Sequence, residues 1–244
     1  MVGINSQGND YLLEQLKTCM PARVLRVASQ EELRVDVQPV IDILRKDGDS
    51  QPIPTILNVP VLMLGGSKSL ISYPVEAGDF VMLVFSQLDI DRFIEGTGTN
   101  AHEKTPYTAR RFHLQDAVAI PGLFPFGAKA NSPATRTNPH NPQDLVVTHN
   151  KGTGNEVEVR LGKDGSLTLK SPLAVNVESP SVSVKTQTLK VEAANTTWTG
   201  NITHSGNYVQ TGESTFNGIQ FSTHKHGGVM PGGGTTSVLN PNPQ

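Results

Sequence analysis

The sequence holds a single cysteine, Cys19, among its 244 residues, so no intrachain disulfide framework can hold it together. Aromatic residues make up only 5%, and neither sign of charge dominates, with 20 basic against 22 acidic residues. A broad nucleic-acid-binding surface is therefore not expected. No apolar run approaches the roughly 20 residues that a membrane-spanning helix needs. The first residues lack the basic-then-apolar layout of a signal peptide. The expectation is a soluble chain, either cytoplasmic or delivered outside by another route. G-x-S-x-G, P-loop and H-E-x-x-H motifs are also missing, which leaves no ready nucleophile, phosphate cradle or zinc-protease site. Glycine and proline are plentiful, at 23 and 17, and they punctuate a chain of short segments.

Residues 5–19 carry the best helical pattern: Tyr11, Leu12, Leu13, Leu16 and Cys19 recur at three- and four-residue spacing, and Pro21 stops the run. We read 1–20 as an N-terminal helical arm. The period then changes to two. Val24, Leu25 and Val27, then Leu33, Val35 and Val37, predict two strands joined by the turn Ser29 to Glu32. Further strands are expected over Ile56 to Leu64, with Pro60 at an edge or bulge, over Leu70 to Pro74, and over Phe80 to Phe85. Gly65-Gly66-Ser67 and Val75 to Asp79 read as turns. Such a run of short strands predicts a small, nearly closed β-barrel over 21–122, OB-like by first choice and SH3-like as the rival. A Pro/Gly-rich, largely irregular connector is expected over 123–154, densest from Pro121 to Asp144.

From Asn155 onward Val157, Val159 and Leu161 alternate with Glu156, Glu158 and Arg160, and Lys163-Asp164-Gly165 turns the chain into Leu167 and Leu169. Short alternating pieces continue through Leu173 to Val177, Val182 to Val184 and Leu189 to Val191. Only Lys185, Lys190, Glu192, Glu213 and Lys225 are charged between Ser181 and Gln244. Strands so short carry too little apolar surface for a sandwich core. A solenoid-like stack over 155–223 solves this, above all if three chains wind together around one shared axial core.

His224 and His226 stand two apart in Ser222-Thr223-His224-Lys225-His226-Gly227-Gly228, and in an extended strand they share a face. One chain offers two imidazoles, too few for a buried metal site. Three copies on an axis offer six, a set that suits iron, nickel or copper better than zinc, which prefers four ligands. The plain alternative is a pair of exposed histidines near a chain end. His204 has no partner at short spacing and reads as an ordinary histidine; His102, His113, His140 and His149 are scattered through loops. Asp89, Asp91 and Glu95 form an acidic group that reads as a helix start, with Asp89 capping and Phe93 packing down, rather than as general acid and base. Arg110, Arg111 and His113 beside Asp116 fit either a subunit contact or a solvated face.

These residues together resemble a family: the central spike proteins of contractile phage tails, the membrane-piercing tip of the baseplate. In the N-terminal part the resemblance rests on Asn58-Val59-Pro60-Val61, Gly65-Gly66, Tyr73 to Asp79, Val84 to Asp91 and Arg110 to Gly122. Toward the other end it rests on the Ser/Thr-rich short strands ending in His224-Lys225-His226-Gly227. The resemblance implies an all-β chain: an OB-fold barrel with a short helix, an intertwined trimeric β-helix, and a metal-binding apex with tail over 224–244. It implies one iron ion per homotrimer, held by His224 and His226 of each chain. It also implies baseplate hub and tail tube proteins as partners, no nucleic acid, a place in the virion at the tail tip, and puncture of the bacterial outer membrane without enzymatic activity. A trimeric host-binding fibre and a polysaccharide-degrading tailspike are the alternatives. The tailspike would need carboxylates on a groove with stacking aromatics, whereas the β-rich half holds only Trp198 and Tyr208 and few acids.

Overall fold

The structure, a computed structural model, describes residues 16–45, 47–97 and 104–223. The chain divides into two units, Met1–Glu178 and Ser179–Gln244. The first unit opens with β1 (Cys19–Ser29) and β2 (Arg34–Pro39). A two-residue-stranded hairpin, β3 (Ile43–Leu44) with β4 (Ser50–Gln51), leads to β5 (Ile56–Pro60). A second small hairpin, β6 (Leu64–Gly66) with β7 (Ser69–Ile71), precedes β8 (Phe80–Phe85), the one-turn helix α1 (Asp91–Glu95) and β9 (Ala117–Pro121).

β1 is long enough to serve two partners, pairing antiparallel with β2 and with β8. The sheet order is β5-β2-β1-β8-β9. Three consecutive strands with a fourth returning beside the first make a Greek key. Two irregularities in the β1–β2 register, at Val24/Arg26 and Val27/Ser29, tighten the twist that curls the sheet. Its edges then meet: Val61, just past β5, bridges Ala119 of β9 in parallel, and Leu62 N–H donates to Ala119 O at 2.9 Å. A five-stranded, partly open Greek-key barrel is the OB arrangement, so the first choice of the sequence reading holds over its rival. Inside, Val24, Val35, Val37, Val59, Val81 and Leu83 are buried together with Ala117 and Ala119. Small alanines on β9 suit the point where the barrel closes most tightly.

Several expectations need adjusting. Residues 1–15 of the expected helix lie outside the described residues, 16–18 are irregular, and Cys19 opens β1 instead of ending a helix. Pro21 does not stop a helix; it sits inside the strand, opposite Met82 of β8. Gly65 and Gly66 belong to β6, and the turn falls one step later at Ser67 and Lys68.

The expected connector is irregular only up to Asp144. There β10 (Leu145–His149) begins, and it pairs with β11 (Val157–Leu161), which pairs with β12 (Leu167–Lys170). Register places Leu145, Val147, Val157, Val159, Leu161, Leu167 and Leu169 on one face, and all seven are exposed. The opposite face carries Thr148, Glu158 and Arg160, and it is covered. Glu158 is buried, as is Glu156 just before β11. Within one chain this sheet is inside out.

The cover is the connector itself, and Glu156 is what holds it. Its carboxylate accepts from Thr137 N–H at 3.0 Å, Asn138 N–H at 3.0 Å and Gly152 N–H at 2.6 Å. From β11, Arg160 donates to Pro139 O at 3.0 Å, and Arg136 reaches back to the Thr148 hydroxyl of β10. A stretch with the composition of a loose linker is thus fastened to the sheet.

In the second unit the structure departs from the expected strands. Among the described residues, 171–214 form no strand paired within the chain, and the next pairing is the hairpin β13 (Thr215–Phe216) with β14 (Ile219–Gln220). Strands need a neighbour to bond, and these segments have none in their own chain. Their apolar side chains, Val182, Val184, Leu189, Val191, Trp198, Ile202 and Tyr208 among them, are all exposed.

Burial pushes the Glu156 carboxyl up, yet the three N–H bonds and the nearby Arg136 charge outweigh it, and its pKa lies below the usual value. Its contribution is therefore complete above the unfolded carboxylate pKa of about 4.3 and is lost as pH falls through the lower folded value. Glu156→Ala strands three amides. At neutral pH we expect a loss of at least about 2 kcal/mol of local stability, read as proteolytic nicking between 131 and 144 that is roughly 30-fold faster. Unchanged nicking would contradict the clamp.

Candidate functional site

His224 and His226, the residues on which the sequence reading places a metal, lie outside the described residues, as does the Gly-rich tail that follows. The chain leading to them is described to Thr223. There the β13–β14 hairpin turns through Asn217 (φ 49°) and Gly218 (φ 80°), the two successive left-handed positions of a tight Asn-Gly hairpin turn. Phe216 and Phe221 meet edge to face, 6.4 Å between centroids. Across the hairpin base, the Glu213 carboxylate accepts from Ser222 N–H at 3.1 Å and from the Ser222 hydroxyl. These bonds hold the Glu213 carboxyl below its ordinary range. The residue two before His224 is thus tied down by its own chain.

His204 behaves as an ordinary surface histidine. It is exposed, hydrogen-bonded through Nε2 to Asn207 O at 3.3 Å, and edge-on to the Tyr208 ring. His113 accepts from Gln115 N–H at 3.2 Å and shapes the 3-10 turn Leu114–Asp116.

The acidic group resolves differently from its sequence reading. Asp89, Asp91 and Asp116, not Glu95, come together, with ligand atoms within 4.8 Å of one another. A cation already sits among them. Arg110 grips Asp116 with two bonds of 2.8 Å and reaches Asp91 at 2.8 Å and Asp89 at 3.2 Å. Asp89 also accepts from Thr108 N–H and hydroxyl, each at 2.8 Å, and from Asp91 N–H at 3.0 Å, but the N-cap of α1 is Ile90, not Asp89, and it makes no side-chain cap bond. Burial raises the Asp89 pKa, but these bonds and the Arg110 charge outweigh it and the net shift is downward. The Asp116 bonds hold the Arg110 guanidinium charged even more firmly than usual. Arg110 is therefore an internal fastener, neither a solvated charge nor a free contact residue. Phe93 does not pack down; it is exposed. Glu95 stands apart and accepts from the Tyr107 hydroxyl at 3.1 Å.

Sequence reading missed the polar layer under β10–β12. His140 is buried, sharing a 3.2 Å bond between its Nε2 and Asn131 Oδ1, while Glu158 pairs with Arg160. Nothing in the local pattern announces that layer, because Glu156 and Glu158 alternate with valines as exposed residues do. Beside it opens a cavity of about 670 Å³ lined by His140, Asp144, Arg160, Lys163 and Asp164. Its two carboxylates are committed to turns: Asp144 accepts from Lys163 N–H at 2.9 Å and Asn141 N–H at 3.1 Å, and Asp164 from Ser166 N–H at 2.9 Å.

Comparison with known families bears on both ends of the chain. Residues 20–122 match the family of the phage protein Gp138 N-terminal domain, and residues 218–236 match the GpV Apex motif. The first match coincides with the barrel; the second begins at Gly218 in the hairpin turn and includes the His224–His226 pair. In this order along one chain, the two matches are those of a phage central spike protein with a C-terminal apex. No curated protein matches the chain.

Arg110→Met removes the cation while leaving Asp89 and Asp116 buried and charged. We expect a cost of about 3–5 kcal/mol at neutral pH, measured by urea unfolding of the barrel. A loss below about 1 kcal/mol would show that Arg110 is not the fastener.

Proposed function

We propose that this phage spike protein works as a homotrimeric central spike, whose barrels join the baseplate hub and tail tube and whose needle is driven through the host outer membrane. The work is mechanical, with no catalytic step. One observation carries the reading: a single chain leaves uncovered the very faces that a shared core would bury. β10–β12 turns Leu145, Val147, Val159, Leu161, Leu167 and Leu169 outward while its polar face is sealed by the connector. Beyond Glu178 the valines and leucines of unpaired extended segments are exposed in the same way. Exposed apolar area on this scale marks an interaction surface. A second and a third copy of the chain supply both the missing strand partners and the missing core.

At the apex, His224 and His226 of three chains would contribute six imidazoles. Neutral imidazole suits a six-coordinate first-row ion, and the match of residues 218–236 to an apex motif supports the placement. With every position filled by protein, iron there would cross-link three chains and supply no open site for chemistry. The committed carboxylates of the one acid-lined cavity described above support the non-enzymatic reading.

Elemental analysis of the purified protein tests the clamp. We expect iron at about one ion per three chains, abolished in the double variant His224→Ala, His226→Ala. One ion per chain, or iron retained by the double variant, would overturn it.

A further inference from the structure

The second unit turns at regular intervals, and the interval changes once. The backbone bends at Pro180, Gln187 and Ala194, spaced by seven residues, and then at Gly200, Gly206 and Gly212, with the β13–β14 turn at Gly218, spaced by six. Side chains follow the first period. Ser179 Oγ accepts from Ser181 N–H at 3.3 Å and donates to Ser181 O at 2.8 Å. Seven residues on, Thr186 Oγ1 makes the same pair with Thr188, at 3.3 Å and 3.0 Å. The second period has a different device. All four corners are glycines with positive φ: 118°, 126°, 108° and 80°. A left-handed corner is nearly free for glycine and costly for other residues. At the Pro180 and Gln187 corners of the first period a hydroxyl-bonded turn of ordinary residues does this work, and the side it opens takes one residue more.

We infer that the needle is wound in two gauges, seven residues to a side from Pro180 to Ala194 and six to a side from Gly200 to Gly218. On each face, a side pairs with the preceding and following sides contributed by two further copies of this chain. The inference rests on the trimeric reading above. At about 3.3 Å per extended residue, a side shortens from about 23 Å to about 20 Å toward the apex. The glycine corners set the narrower gauge. Apolar positions keep the same count: Val184, Val191 and Trp198 recur every seven residues, Ile202 and Tyr208 at six. Within one gauge the stacked sides pair in register only if successive sides spend the same number of residues, and a one-residue slip turns every side chain to the other face. Whole sides are therefore removable units; fractions of a side are not.

Deletions in the full-length chain test this. Removing 186–192 takes out one seven-residue side, and removing 206–211 one six-residue side. Removing 187–192 or 206–210 instead leaves the count one residue wrong. We expect both whole-side deletions to sediment as trimers that melt within a few degrees of the parent. Each off-count deletion should lose the trimer or melt at least about 10 °C lower. If off-count and whole-side deletions are equally stable in a trimeric parent, the two-gauge winding is wrong while the trimer stands. A monomeric parent would instead overturn the trimeric reading itself.

Discussion

An antiparallel sheet has to bury its apolar face against something. Among the described residues that constraint is met at the barrel and left open on the strands and extended segments after it. The barrel closes on itself through Val61 and Ala119, so Val24, Val37, Val81 and Leu83 share a core that needs no partner. β10–β12 instead uses its chain's own connector to cover Thr148, Glu158 and Arg160, and presents leucines and valines outward. In the proposed trimer that arrangement would let further copies of the chain bury the apolar half of the sheet.

Two charged fasteners allow the rest to be irregular. Arg110 gathers Asp89, Asp91 and Asp116 and so ties the α1 region to the start of β9. Glu156 gathers three backbone amides and so fixes a proline-rich stretch with no regular structure to spare. Buried charges with several bonds trade desolvation cost for geometric specificity, a good exchange where apolar contacts are sparse. Asp89, Asp116 and Glu156 each accept several donors from their own chain, while Asp91, the more exposed carboxylate, is held by Arg110.

Much of the barrel was legible in the sequence, since period-two alternation shows directly which residues face a core. Phe80 to Phe85 was read to the residue, and the β1–β2 hairpin nearly so. The closing of β5's exit onto β9 was not legible, because strand pairing across about sixty residues leaves no local trace. The helix reading over 5–19 overran into β1 for a local reason: Leu16 and Cys19 keep helical spacing, but β1 needs Cys19 opposite Val84. Of the acidic group, Asp89 and Asp91 are legible from their neighbouring positions, whereas Asp116 arrives from a distant turn and takes the place expected for Glu95. β11 shows the limit of pattern alone: its alternation is read correctly, and in one chain the valines face out and Glu158 faces in. Pattern says that two faces differ; only packing says which one a single chain can cover.

The central claim is that this chain completes its core with copies of itself. Native mass measurement of the full-length protein tests that most directly. Three chains in one particle, with no significant single-chain species, is the result the account predicts. A well-folded single chain that keeps Val147, Val159 and Leu169 in solvent at working concentration would contradict it.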